Sequence, residues 1–443
     1  MMYILSMDFG TSSIKASLID EHLRTVDTVK EEYFFKIPKP NFVELDPEDV
    51  FSAMLKCIKR FGPYHNGIEA IAYDTFSPSV AFMDKDGNPL YPIITHLDRR
   101  SSEQSKKIIR EMGENEFQRI TGTFPFTGGA SVTTMLWVKE NMPGIYGDTC
   151  KIGHLVTYLY KKFTGHWATD PTNAAQMAMY ETTKWSGWSK EILTQFGIDE
   201  SKLPEIHNAG TVLSGLSREF SRLTGLKEGI PVLLGTNDAT VAHVGAGNNN
   251  PGDILDISGS SEIITILSDK PVTNSKYYLR NAYYPGQWQI FAITTGGFAI
   301  DWFKNEFCRE MSKEEFFSSY VPEIMQRNPA ENPVTFLPYL TGDRQSLRKK
   351  KGAFNGLSLD TGRDEMLLSL LTGIHEPVID TIRLAGEFQK LNPVIKLTGG
   401  LISENFINFK KRLLKGFDFE QKDDCPILGN AIAAVRYLNN VKP

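Results

Sequence analysis

Cysteine is scarce in this 443-residue chain, and Cys57, Cys150, Cys308 and Cys425 stand far apart with no Cys-x-x-Cys pair. Such spacing builds neither a zinc knuckle nor a thioredoxin-type motif, so the four read as reduced, mostly buried thiols. Positive charge is not in excess either. The 48 Lys+Arg against 53 Asp+Glu give a formal charge of −5, with no basic block to track a nucleic-acid backbone or an anionic lipid surface. No run of about 20 apolar residues offers a membrane span. The opening Met1-Met2-Tyr3-Ile4-Leu5-Ser6-Met7-Asp8 lacks the basic start and long apolar stretch of a secretory signal. The expectation is a cytoplasmic protein whose partners are small molecules, not nucleic acid or membrane.

Several catalytic designs are missing as well. The chain has no Gly-x-x-x-x-Gly-Lys-[Ser/Thr] loop, no His-Glu-x-x-His pair and no Gly-x-Ser-x-Gly elbow, and Gly245-Ala246-Gly247 lacks the third glycine of a dinucleotide fingerprint. Zinc and serine-nucleophile chemistry therefore rank low. What is present is an ordinary globular balance, 41% hydrophobic and 23% charged. At roughly 150 residues per domain, this length predicts two domains or more.

Two stretches repeat one design. Tyr3 to Met7 reads as a strand, Gly10-Thr11-Ser12-Ser13 as a turn, and Ile14 to Asp20 as a returning strand. Far downstream, Ile254 to Ile257, the turn Ser258-Gly259-Ser260-Ser261, and Glu262 to Leu267 follow the same plan. An Asp on each incoming strand and a glycine-plus-hydroxyl turn suggest an internal duplication. Helices are predicted from Pro47 to Ile58, over roughly 102–112, 131–141 and 150–163, from Ala239 to Val244, over most of Asp364 to Gln389, and from Asn430 to Leu438. Strands are predicted at Ile68–Tyr73, Ser79–Met83, Ile230–Gly235 and Val394–Leu397. Alternating strands and helices make the class α/β. The breaker cluster Gly245 to Gly252 sets the expected boundary between domains 1–246 and 247–443.

Turns of this kind let backbone N–H groups and hydroxyls approach an anion, although Gly and Ser also make turns for conformational reasons alone. Asp238, between an apolar strand and a helix, is placed either to accept a proton from a substrate hydroxyl or merely to cap its helix. Gly399-Gly400 after Val394 to Thr398 would let a flat ring lie on bare backbone, or simply make a tight turn. Trp137 and Trp302 read as core.

The ordered set resembles the FGGY family of carbohydrate kinases. It comprises Asp8-Phe9-Gly10-Thr11-Ser12-Ser13-Ile14-Lys15-Ala16, Asp84 to Ile94 followed by Asp98-Arg99-Arg100, Gly229-Ile230-Pro231-Val232 leading to Asp238, and Gly259-Ser260-Ser261. Thr295-Gly296-Gly297, Phe336 to Arg344, Gly352 to Leu357 and Leu397-Thr398-Gly399-Gly400 complete it. The resemblance implies two ribonuclease-H-like, actin-like ATPase domains around a central cleft, and ATP- and Mg²⁺-dependent phosphorylation of a sugar or polyol hydroxyl. By the same resemblance Asp238 is the catalytic base and a second candidate for the metal. Asp8 would reach Mg²⁺ through water. Gly10, Thr11, Ser12, Ser13, Lys15, Gly259, Ser260, Ser261, Gly296, Gly297, Gly399 and Gly400 would hold the nucleotide, and Asp74, Ser77, His96, Asp98 and Arg100, with Asp238, the sugar. A homodimer is compatible with the resemblance.

Departures fall on the sugar side. His96 stands where family members carry Trp before Asp-x-Arg, and Asp74-Thr75-Phe76-Ser77-Pro78-Ser79 replaces the usual Gln-Met-His-Gly or Arg-Glu stretch. Leu401 replaces a third glycine. A ketopentose of the xylulose or ribulose type is the expected acceptor, with a glycerol- or erythritol-like polyol as the alternative. A non-catalytic actin-like ATP-binding module is the competing class.

Overall fold

The computed structural model describes residues 2–340, 342 and 350–441; Thr341, Asp343 and Arg344 of the motif Phe336 to Arg344 lie outside the described residues. Two sheets organise the chain. The first orders its strands Thr236–Asn237, Ile68–Thr75, Tyr3–Phe9, Ser13–Asp20 and Thr25–Glu32. The last three form an antiparallel meander, and the first two add in parallel to Tyr3–Phe9. Tyr3–Phe9 is an internal strand covered on both faces, which explains its nearly unbroken apolar run. Thr25–Glu32 is an edge whose outward positions Thr28, Lys30 and Glu32 are exposed and polar or charged, which discourages pairing with another chain.

The second sheet orders Tyr278–Asn281, Trp288–Thr295, Ser261–Ser268, Ile254–Ser258, Val394–Thr398 and Asp418–Gln421. Its hairpin Ile254–Ser258 with Ser261–Ser268 is antiparallel, Trp288–Thr295 extends that meander, and Val394–Thr398 and Asp418–Gln421 add in parallel. Apart from the extra edge strand Tyr278–Asn281, the two sheets share one strand order. The duplication seen in the hairpins is thus a duplication of the whole sheet.

Helix Pro47–Arg60 starts at Asp46, whose side chain accepts from the Glu48 N–H, and ends on Lys59 and Arg60, which complement its dipole. Its buried face, from Val50 to Ile58, packs under the first sheet. The opposite face of that sheet is covered from the far end of the sequence. Ile427, Ala431, Ala434 and Leu438 of helix Cys425–Val441 pack on Ile4, Ile19, Ala70, Ala72 and Leu233. This helix also crosses helix Asp238–Gly245 at backbone distance. A Cβ on Gly245 would stand 1.9 Å from the Cys425 carbonyl oxygen, and one on Gly429 2.2 Å from that of Val241.

Helix Asp238–Gly245 joins the halves. Thr240 Oγ1 donates to Gln289 Oε1 at 3.0 Å, and His243 Nε2 bonds Thr265 Oγ1 at 2.7 Å, both on the second sheet. Two expectations need correction. The predicted helix 150–163 is instead the strand Lys151–Gly153, paired with Ala81 to Met83, followed by helix Leu155–Thr164. Ile230–Gly235 is not a regular strand. Pro231 has no N–H to give a ladder, so the segment holds to Ile71 through single bonds, and regular pairing begins at Thr236. Among the described residues no helix is long and apolar enough to cross a membrane.

Candidate active site

Between the two sheets lies a cavity of about 600 Å³. Of the residues singled out in the sequence, Asp8, Gly10, Thr11, Ser77, His96, Asp238, Ser261 and Gly399 line it. Asp8 enters from the carboxyl end of an internal strand, just before a turn whose Thr11 and Ser12 are exposed. Its carboxyl is pushed up to about 6 by burial and by the negative charge of Asp238, while the neighbouring Asp74 carboxyl and the charge of Lys15 work the other way. Asp74 stands beside it on the parallel neighbour, in register, fully buried behind the cavity wall. Burial and the charges of Asp8 and Asp238 raise Asp74 well above the carboxylate range, against a 2.6 Å bond from Asn430 Nδ2.

Asp238 opens its helix, with Asn237 as the residue before it. Its Oδ1 accepts from the Ala239 N–H at 2.7 Å, so it meets one of the first helical N–H groups while facing the cavity, and the cap position itself is Asn237. Burial raises its carboxyl, opposed by that N–H and by the positive charge of Arg280. Ser77 donates to Asn173 Oδ1 at 2.6 Å. Asn173 is held in turn by Asp170, and Asp170 by Thr236, a buried polar chain that fixes the cavity floor. His96 packs edge-on to Phe35 and Phe76.

The second hairpin carries a different support. Asp256 and Glu262, one on each strand, close on the fully buried Lys410, whose Nζ also donates to Ser258 Oγ at 2.8 Å. Burial and the Glu262 charge lift Asp256 to about 7. Burial disfavours the Lys410 charge, but the two carboxylates outweigh it and leave the amine raised. The Asp of the second hairpin is therefore neutralised from behind, unlike Asp8.

Glycines crowd this hairpin. The Gly296 and Gly297 N–H groups donate to the Ser260 and Gly259 carbonyls at 3.2 and 2.9 Å. Gly399 sits at φ +120°, and a Cβ there would meet the Ser258 oxygen at 2.2 Å. Gly400 faces open space, with nothing within 4 Å of such an atom. Gly259, Ser260, Gly296, Gly297 and Gly400 thus flank the second hairpin outside the cavity lining, as Ser12 and Ser13 do at the first.

Three predicted residues are held by ion pairs and lie outside the cavity lining. Asp98 and Arg100 form a buried cluster behind the cavity. Arg100 Nη2 binds Glu44 at 2.7 Å and Asp98 at 2.8 Å, Asp98 accepts from the Val43 N–H, and the guanidinium lies 3.8 Å from the Phe42 ring centre and 5.2 Å from Trp137. Lys15 ion-pairs with Asp424, in the segment just before helix Cys425–Val441. Trp302 stacks on Phe354, as a core residue would.

Other lining residues carried no sequence signal. Arg280 enters from the edge strand Tyr278–Asn281, its guanidinium 3.7 Å from the Phe291 ring centre. Asn237, Gln176, Asp423 and Asp424 also line the cavity. Asn430 does not line the cavity but reaches Asp74 behind it from Gly429-Asn430-Ala431.

Similarity to known proteins agrees with this geometry. A family model described as "FGGY family of carbohydrate kinases, N-terminal domain" matches residues 3–245. The chain is 24% identical over 418 residues to a xylulose kinase of Staphylococcus xylosus, covering 93% of this chain and 85% of that protein. It is 26% identical over 388 residues to a gluconokinase of Bacillus subtilis (strain 168), covering 84% and 74%. The crystal structure of a ligand-bound xylulose kinase from Lactobacillus acidophilus superposes with a TM-score of 0.91 at 21% identity, covering all of this chain and 91% of that one. Its fold, two actin-like ATPase domains, is the one described above. With more than half its length matched, the chain belongs to the FGGY family of carbohydrate kinases, ATP-dependent phosphotransferases with a hydroxyl acceptor.

Proposed function

We propose that this kinase transfers the γ-phosphoryl group of ATP to a hydroxyl of an open-chain sugar of five or six carbons, with Asp238 as the base. The observation that carries the reading is the convergence of Asp8, Thr11, Ser261 and Asp238, from both halves of the chain, on one cavity. The division at 246/247 is part of the proposal, supported by a family match that ends at residue 245. The turns Gly10-Thr11-Ser12-Ser13 and Gly259-Ser260-Ser261 hold the phosphates, and the open backbone at Gly400 takes the adenosine side.

Mg²⁺ fits the donors present, since such an ion is commonly held by one or two carboxylates, waters and substrate phosphates. Asp8 is the carboxylate best placed for it, and a nearby cation would draw its proton away. The ion would neutralise charge on the transferring group. Asp238 receives the acceptor proton, and its burial keeps it basic enough for that role. Ser77 and His96 shape the acceptor wall. The ketopentose expected from the motifs belongs to this size class, and the xylulose kinase relative supports it; the gluconokinase relative supports a sugar acid equally.

The test is Asp238→Asn. Nucleotide binding by calorimetry should persist, while acceptor-dependent ADP release falls by ~10²–10⁴. Parental turnover in that variant would remove Asp238 from the role.

A further inference from the structure

Arg280 is the one Lys or Arg among the described residues that line the cavity, against Asp8, Asp238, Asp423 and Asp424, the last of which is already ion-paired with Lys15. The two cations that are most deeply buried elsewhere each hold two carboxylates: Arg100 has Asp98 and Glu44, and Lys410 has Asp256 and Glu262. Arg280 has none within ion-pair distance among the described residues. Its guanidinium rests on the Phe291 face, with the Tyr278 ring centre 6.0 Å away. Desolvating a guanidinium without a counter-anion is costly, and a ring face offsets only part of that cost. Burial accordingly brings Arg280 down to about 10, against the opposing pull of Tyr278 and Asp238.

Its place along the sheet is equally specific. Ser261, at the hydroxyl turn, pairs with Thr295, whereas Phe291 pairs with Thr265 and Tyr278 four residues further on. At about 3.3 Å per residue that is roughly 13 Å from the turn. The free charge therefore lies well along the cavity from the second hydroxyl turn, near enough to Asp238 for the two charges to interact.

We propose that Arg280 binds the carboxylate of the acceptor and that the acceptor is an aldonate, an open-chain sugar acid, phosphorylated at the hydroxyl end remote from its acid group. The inference rests on the kinase reading above and selects among its acceptors, favouring the acid over the ketopentose. A planar guanidinium pairs a carboxylate through two parallel N–H bonds, and a neutral ketose or alditol leaves that fork unpaired.

The experiment compares Mg-ATP-dependent turnover of gluconate and of five-carbon aldonates with that of the carboxylate-free alditols and ketoses of equal length, for the parent, Arg280→Met and Arg280→Lys. Calorimetric binding of gluconate and glucitol runs alongside, as a readout independent of turnover. The parent should prefer an aldonate over its alditol by ~10²-fold in kcat/KM. Arg280→Met should lose that preference through KM, with kcat within a few-fold, and Arg280→Lys should regain part of it. A parent that prefers xylulose, ribulose or an alditol overturns the inference and leaves the kinase reading intact. Equal loss of kcat on every acceptor in Arg280→Met, with a shifted acid limb, also overturns it, because Arg280 would then act on Asp238. A parent with no acceptor-dependent ADP release at all overturns both.

Discussion

Asp8 and Asp74 stand side by side on parallel strands, in register, and burial together with the Asp8 charge raises Asp74 well above the carboxylate range, which favours a proton there. The better buried Asp74 is its natural holder, leaving Asp8 to face the cavity with charge available. The two half-sites of the duplicated fold have thus diverged: the first presents its acid to the cavity, while the second gives its acid to Lys410.

The sign of the Asp8 shift dictates a pH dependence. Its folded value, about 6, exceeds the unfolded value near 4, so the folded state binds more protons in that interval. Stability from this group is full below the unfolded value and is lost as pH rises through 6. Asp8→Asn should therefore be more stable than the parent at pH 8, by roughly 1–2 kcal/mol without nucleotide or Mg²⁺. The gain should vanish near pH 4. Urea unfolding at several pH values measures it, and parallel curves for the two proteins would refute it.

Lys410→Met should cost about 3–5 kcal/mol at pH 8, because it leaves Asp256 and Glu262 buried without their cation. The loss should shrink toward pH 5.5, since Asp256, already near 7, takes up a proton more readily than it could beside the amine. Adding Asp256→Asn and Glu262→Gln should recover most of it in denaturant titrations.

Gly399→Ala and Gly400→Ala separate packing from ligand contact. The first forces a Cβ into the Ser258 carbonyl at a backbone angle that side chains avoid, and should destabilise by about 2 kcal/mol or more while raising KM for ATP. The second meets nothing in the protein. It should fold at parental stability, so a several-fold rise in KM for ATP there would come from the nucleotide alone; an unchanged KM would move the adenosine elsewhere.

Arg100→Met tests the placement of the Asp98 cluster. It should lower stability by about 3 kcal/mol, the cost of stranding buried carboxylates. KM for the acceptor should stay within two-fold. A tenfold rise in KM without loss of stability would return Arg100 to the sugar pocket.

The sequence was informative where function is written into local pattern. Both hairpins, the aspartate ending Tyr3–Phe9 and the strand-to-helix joint at Asp238 rest on neighbours within ten residues, and all were legible. Lys410 finds Asp256 and Glu262 across about 150 residues, and Asn430 finds Asp74 across 356. No periodicity records such meetings. Arg280 sits in the unremarkable stretch Tyr277-Tyr278-Leu279-Arg280-Asn281, and only the edge pairing with Trp288–Thr295 brings it over Phe291. Asp98 and Arg100 were visible as a motif, but Glu44, Phe42 and Trp137 decide which way they face.

Helix Cys425–Val441 carries a consequence for how the enzyme comes into being on the ribosome. Tyr3–Phe9 and its hairpin emerge first, yet one face of their sheet stays bare until this helix arrives, and Asp74 waits for Asn430 until some 356 further residues have been made. The nascent amino-terminal half should therefore depend on chaperones. A chain released before that helix is made would leave Ile4, Ile19, Ala70 and Ala72 uncovered, and exposed apolar surface of that kind favours aggregation.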